Sequence, residues 1–183
     1  MQKFMTPDYQ IITRHLVLRL ITHEESFELQ QRVCHSPTLH QWIDWCSPAF
    51  TLKEAERFVL MTRLNWVKSE SYGFGIFLRS NETLVGMVAI NELYHTFNMA
   101  SVGYWIADKF QHHGFAKEAL DALIEFCFAM LKVTRIEVIC SPDNKPSQKL
   151  ATACGAEFES LAKNRFIFNG QPQVGAVYSI IPE

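Results

Sequence analysis

Along this chain, positions that alternate apolar and polar give way to positions that recur every three or four residues, and the period switches back more than once. The first stretch, "IITRHLVLRLI", has the alternation of a strand. In "THEE", Thr22 and Glu25 have the spacing of a capping box, in which each satisfies the other's orphan backbone donor, and a helix is expected through about Val33. "TLKE" repeats the device at Thr51 and Glu54. Beyond it Ala55, Phe58, Val59, Thr62 and Trp66 fall on one face of an amphipathic helix.

The middle of the chain returns to a period of two. "YGFGIFLR", "LVGMVAIN" and "MASVGYWIA", separated by the polar turns "SNET" and "YHTFN", predict an antiparallel meander. Helical spacing follows: Ala116, Ala119, Leu120, Leu123, Ile124, Cys127 and Met130 share a face, with Lys117, Glu118, Asp121 and Glu125 opposite. "RIEVIC" is a short, nearly all-apolar strand of the kind buried in a sheet. A helix from about Pro146 to Ala153 should end on Gly155 in a left-handed cap. "RFIF-NG-QPQVGAVYSI" predicts a hairpin, because Asn169-Gly170 tolerates the positive φ of a tight turn. The order β-α-α-β-β-β-α-β-α-β-β predicts an α/β fold: a mixed, mostly antiparallel sheet with helices on both faces. Its one β-α-β unit, "GYWI" through a helix to "RIEVIC", should be parallel and right-handed.

Composition narrows this without changing it. With 183 residues, 48% apolar and 20% charged, one globular domain over 1–183 is expected. No apolar run reaches membrane-spanning length and the start lacks a signal-peptide core, so a cytoplasmic protein without a membrane partner is expected. The formal charge of −2 leaves no basic surplus for nucleic acid. Five cysteines without a CxxC pair indicate free thiols, and the set Cys34, His35, His40 and Cys46 fits no common zinc spacing, so no metal is expected.

The candidate chemistry lies in "FQHHGFAKEAL". The first N–H groups of a helix lack partners and the helix dipole is positive there, so such an end attracts anions. Gly114 removes a Cβ from the approach, Ala116 keeps the first turn small, and Lys117, His112 and His113 add positive charge. By itself a lone Gly-x-Ala before a helix is more often an ordinary loop end.

In its setting, Gln111 to Ala116 forms Q-x-x-G-x-A between a strand and the main helix of a β-α-β unit, and here the sequence resembles the GNAT acetyltransferases. "TRHLVLRLIT", "VGMVAIN", "VGYWI" and "DNKPSQKLATACGAEFE" resemble, in order, segments of the branch holding the ribosomal-protein serine and alanine N-terminal acetyltransferases. The similarity runs over roughly 13–178. His15 stands where an arginine is usual, and Ser101 where an acidic residue is often found. The resemblance implies an acetyl-CoA-dependent N-acetyltransferase. Tyr104, Trp105, Ile106, Gln111, His112, His113, Gly114, Phe115, Ala116, Lys117, Asn144 and Ser147 would then contact the coenzyme, held chiefly by backbone N–H groups.

Acetyl transfer needs a neutral amine, a polarised carbonyl and a proton for the departing thiolate. A backbone N–H near Ile106 would meet the carbonyl oxygen, and Ser147 is the candidate acid, with helix capping as its alternative. Glu92 and Asp108 are candidate bases, each with the alternative of a solvated turn carboxylate. Cys140 as an acyl carrier is the less favoured scheme, because no histidine stands beside it. The acceptor is expected to be the N-terminus of a Ser- or Ala-starting protein such as a ribosomal protein. A small amine or polyamine, favoured by Asp44, Glu54 and Glu56, and a non-catalytic acyl-CoA-binding module are the alternatives. Apolar surface on "SPAF" or the terminal hairpin is a candidate homodimer contact.

Overall fold

The computed structural model describes residues 5–182. One sheet of eight strands runs in the order β1-β2-β3-β4-β5-β6-β8-β7, where β1 is Ile11–Ile12, β2 Leu16–Arg19, β3 Tyr72–Leu78, β4 Leu84–Tyr94, β5 Met99–Ile106, β6 Arg135–Cys140, β7 Glu157–Phe168 and β8 Gln171–Ile180. Every neighbouring pair is antiparallel except β5 and β6. The helices are α1 (Ser26–Cys34), α2 (Pro37–Trp42), α3 (Leu52–Val67), α4 (Phe115–Phe126) and α5 (Lys145–Ala153). α4 connects the two parallel strands, as the β-α-β pattern requires.

Two buried clusters flank the sheet. One gathers Leu16, Leu18, Phe74, Val88, Val102 and Ile136 with Ala119, Leu120, Leu123 and Phe126 of α4. The other packs Leu29 and Val33 of α1, Leu39 of α2, and Ala55 and Val59 of α3 on Phe77, Met87 and Trp105. Burying each such leucine or valine stabilises the fold by roughly 1.5–3 kcal/mol, which is why a polar outer face on these helices suffices. Covered on both faces, β3 is buried at nearly every position, so its alternating sequence does not mark a solvent face.

The expected first strand is two. Thr13 breaks it: its N–H donates to Leu16 O at 2.9 Å, turning the chain so that Ile11 pairs with Leu18. Glu118, expected on the solvated face of α4, fastens that turn. Its carboxylate accepts from Thr13 Oγ1 at 2.6 Å, from the His15 N–H at 2.7 Å and lies 2.8 Å from His15 Nδ1. Burial pulls the Glu118 carboxyl upward, but these hydrogen bonds outweigh it and hold it below the usual range.

α2 went unforeseen. It begins with Pro37 at its first position, and the N–H of Thr38 is accepted by Asp108, just beyond the end of β5, at 3.2 Å. The helix after β5 continues past Phe126 as a π turn, Cys127–Leu131. The extra residue per turn rotates Met130 off the apolar face, leaving it 44% exposed. The Thr51–Glu54 capping box forms, with the Thr51 N–H donating to Glu54 at 2.7 Å and the Glu54 N–H to Thr51 Oγ1 at 3.2 Å. Gly155 has φ +89°, and Asn169 and Gly170 have φ +49° and +70°, the left-handed values their turns demand. Among the described residues no helix is long and apolar enough to cross a membrane.

Candidate active site

The site starts from an unfinished ladder. Parallel pairing of β5 with β6 runs only from Met99 opposite Arg135 to Val102 opposite Val138. From Gly103 onward β5 pairs with β4 alone, while Ile139 and Cys140 pair with β8. A gap therefore opens one strand end earlier than expected, within "GYWI". Successive backbone groups of a strand point to opposite edges. The Ala107 N–H donates to Val85 O of β4 at 2.9 Å, so the N–H groups of Tyr104 and Ile106 face the gap. Gln111 Nε2 donates to Ile106 O at 3.0 Å in that gap, fixing the loop to the strand.

A cavity of about 480 Å³ follows the gap to the start of α4. Tyr104, Trp105 and Ile106 of β5 line it, as do Asn144 and Ser147 and the loop residues Gln111, His112, Gly114, Phe115, Ala116 and Lys117. His113 does not: its ring Nδ1 lies 2.7 Å from Gln111 O, and the ring stacks on Phe115 at 5.5 Å. His112 at φ +63° and Gly114 at φ +80° curl the loop in left-handed steps. The first backbone bond of α4 runs from Glu118 N–H to Gly114 O at 3.1 Å, so the N–H groups of Phe115, Ala116 and Lys117 stand ahead of the helical ladder. A Cβ on Gly114 would enter open space, so no protein atom blocks the approach of an anion to these N–H groups. The Lys117 ammonium beside it is already paired with Asp121 at 2.5 Å.

A second cavity of about 390 Å³ opens on the other side of the gap. Both cavities share Trp42, Ile43, Tyr104, Trp105, Asn144 and Ser147, so they form one cleft with its waist at the gap. At the waist the Tyr104 hydroxyl donates to Ser147 O at 2.8 Å and lies 3.1 Å from Ser147 Oγ. Burial, only partly offset by Ser147, pushes the Tyr104 phenol well above its ordinary value, so it stays protonated. Asn144, not Ser147, caps α5: its side chain accepts the Ser147 N–H at 3.2 Å, which leaves the Ser147 hydroxyl free of that duty. Burial also raises the Cys140 thiol, with Ser147 and Lys145 opposing it, a poor setting for a thiolate acyl carrier.

Neither expected base reaches the cleft. Glu92 is exposed and accepts a hydrogen bond from the Tyr94 hydroxyl. A bulge between Ile90 and Glu92 makes Asn91 the residue that lines the second cavity, over Gly103. Asp108 is occupied as a staple between loop and helix, bonded to the Thr38 hydroxyl and N–H and to Gln111 Nε2 at 3.3 Å. Of the three acidic residues expected near the acceptor, only Asp44 lines the cavity; Glu54 completes the capping box with Thr51 at the start of α3, and Glu56 borders a separate hollow. Cys34, His35 and His40 each bond a backbone carbonyl, and no three Cys, His, Asp or Glu side chains converge as a metal site among the described residues. The sequence marks Tyr104 as a coenzyme contact but not as the hydroxyl partner of Ser147, which stands 43 positions away. Asn91 carried no period signal, and the aromatic wall of the second cavity is spread over Trp42, Trp45, Phe58 and Phe166.

The comparisons agree with this geometry. Residues 15–157 match the acetyltransferase (GNAT) domain model. A Vibrio cholerae structure provisionally assigned as a ribosomal-protein-serine acetyltransferase is 60% identical, covers 97% of this chain and 100% of that one, and superimposes with a TM-score of 0.91. The Escherichia coli ribosomal-protein-serine acetyltransferase is 23% identical over 159 residues, 86% of this chain and 88% of that one. The microcin C7 self-immunity acetyltransferase MccE, solved with acetyl-CoA and AMP, shares the fold at a TM-score of 0.86 and 22% identity, covering 98% of this chain and 99% of that one. A sheet split between its two parallel strands, a glycine-led helix start at one end of the split and a model match over most of the length place this chain in the GNAT acetyltransferase family.

Proposed function

We propose that the chain transfers the acetyl group of acetyl-CoA directly to the N-terminal amine of a Ser- or Ala-starting protein, a ribosomal protein being the natural candidate. The observation that carries this reading is the through-going cleft whose waist is built from Tyr104, Ser147 and the gap-facing N–H of Ile106. The coenzyme would enter from the α4 side, its pyrophosphate over the N–H groups of Phe115 to Lys117 and its pantetheine arm along the unpaired edge of β5. The Ile106 N–H is then a donor for the thioester carbonyl oxygen, strengthening as charge develops there. Ser147 supplies the proton to the departing thiolate and regains one from the water that takes up the amine proton, with the Tyr104 hydroxyl 3.1 Å away placed to hydrogen-bond its oxygen meanwhile.

Among the described residues the one carboxylate lining the acceptor side, Asp44, is engaged by the Asn169 N–H at 2.7 Å, and an α-amino group needs little help. With an unperturbed pKa of about 7.7–8.0, an appreciable share is already neutral near pH 7.5, so water suffices to carry the proton away. The relatives that acetylate ribosomal proteins support the same choice. A small cationic amine is the second reading, favoured by Asp44 in the acceptor cavity.

Thiol release from acetyl-CoA, measured with Ser-, Ala- and Thr-starting peptides, spermidine and aminoglycosides, separates the two. Peptide-stimulated release is the expected result. Release with spermidine alone would transfer the assignment to small amines.

A further inference from the structure

We propose that the acceptor cavity selects the residue behind the reacting amine, accepting an apolar or aromatic side chain at the acceptor's second position and rejecting an acidic one. This rests on the reading of the chain as an N-terminal acetyltransferase. An amine at the gap fixes where the next residue lies, because consecutive Cα atoms are about 3.8 Å apart. With the amine at the gap, a second side chain directed away from the coenzyme would enter the cavity of about 390 Å³.

The walls of that cavity are aromatic and already ordered. Trp45 stacks on Phe58 with ring centres 4.6 Å apart and 29° between planes, and meets Trp105 edge-on at 6.2 Å. Phe166 closes the opposite wall from the β7–β8 hairpin. Rigid rings give an incoming apolar side chain contact area without an ordering cost.

Charge supplies the rejection. Among the described residues no lysine, arginine or histidine lines the cavity, and Asp44 is the one carboxylate that does. Asp44 accepts the Asn169 N–H of the hairpin turn at 2.7 Å, which pins the carboxylate in place. A protonated N-terminus approaching this mouth is attracted. A carboxylate one residue behind it would face Asp44 with only neutral donors such as Asn91, Ser141 and Asn144 to bond and no lysine, arginine or histidine among the described lining residues to offset the charge.

The test uses four hexapeptides that differ only at the second position, Ser-Phe, Ser-Ile, Ser-Ala and Ser-Asp, with kcat/KM read from thiol release. For the wild-type chain, Ser-Phe and Ser-Ile should exceed Ser-Asp by about tenfold or more, with Ser-Ala between. Asp44→Asn should shrink the Ser-Phe to Ser-Asp ratio at least threefold. Trp45→Ala should lower Ser-Phe to the Ser-Ala level with coenzyme affinity kept, and Phe166→Ala repeats the test should that variant fold poorly. Equal kcat/KM for the four peptides, or a ratio untouched by Asp44→Asn, overturns this inference while leaving N-terminal acetylation standing. Spermidine acetylation with no turnover of any peptide overturns both.

Discussion

The two halves of the cleft hold their ligands by different means. On the α4 side the contacts are main-chain: N–H groups ahead of a helix, left-handed steps at His112 and Gly114, and a strand edge with no neighbour. On the acceptor side they are side chains, Asp44 and Trp45, Phe58, Asn91 and Phe166, brought from four separate segments. A backbone cradle tolerates change in most of its side chains but not in its φ values. A side-chain wall is the reverse, and can be retuned residue by residue without disturbing the fold.

The largest expected effect falls on the backbone half. Gly114→Glu places a charged Cβ substituent in the open space of the cradle at φ +80° and should weaken acetyl-CoA binding at least about a hundredfold. Calorimetric titration checks it, with circular dichroism showing the fold kept; unchanged affinity would mean the cradle is not where the anion binds. At the waist, where the halves meet, Ser147→Ala should lower kcat about tenfold or more with coenzyme affinity nearly constant. Normal turnover in Ser147→Ala together with a loss in Tyr104→Phe would transfer the acid role to the phenol.

Smaller effects test what lies outside the cleft. Arg135 and Ser179 hold the Glu159 carboxyl down at about 2. Because the folded value is depressed below the ordinary 4.5, the stabilisation is present above about pH 4.5 and is lost as pH falls towards 2. The pair is partly exposed, so Glu159→Gln should cost no more than about 1 kcal/mol at pH 7, and the difference in Tm from wild type should shrink as pH falls below about 4.5 and vanish only below about pH 2. Least of all, Glu92→Gln should leave kcat/KM within about twofold, since the bulge gives the cavity Asn91 instead. A tenfold loss would make Glu92 the base after all and erase the contrast between the two halves.

That contrast explains what could be read from residues alone. Gln111, Gly114 and Ala116 are close in sequence because a backbone cradle is local, and the capping pair Thr51 and Glu54 is legible for the same reason. The meeting of Tyr104 with Ser147 spans 43 positions and depends on where β5 parts from β6, which no local period encodes. α2 was illegible because six residues are too few for a helical repeat, and its first turn leans on Asp108, 70 positions away. Asn91 and Glu92 exchanged places through a bulge, a one-residue event that alternation cannot foresee.

The parting of β5 from β6 also bears on how the protein behaves among its neighbours. Unpaired strand amides at a sheet edge invite another chain to add itself there, which is a route to aggregation. In this sheet the unpaired amides of Tyr104 and Ile106 lie between two interior strands, with β4 on one side and β6 and β8 on the other. A foreign strand finds no lateral approach, whereas a slim, flexible thread can slip in from the end. The same break in hydrogen bonding thus works as a filter on molecular width, giving the protein reactive backbone without a sticky border.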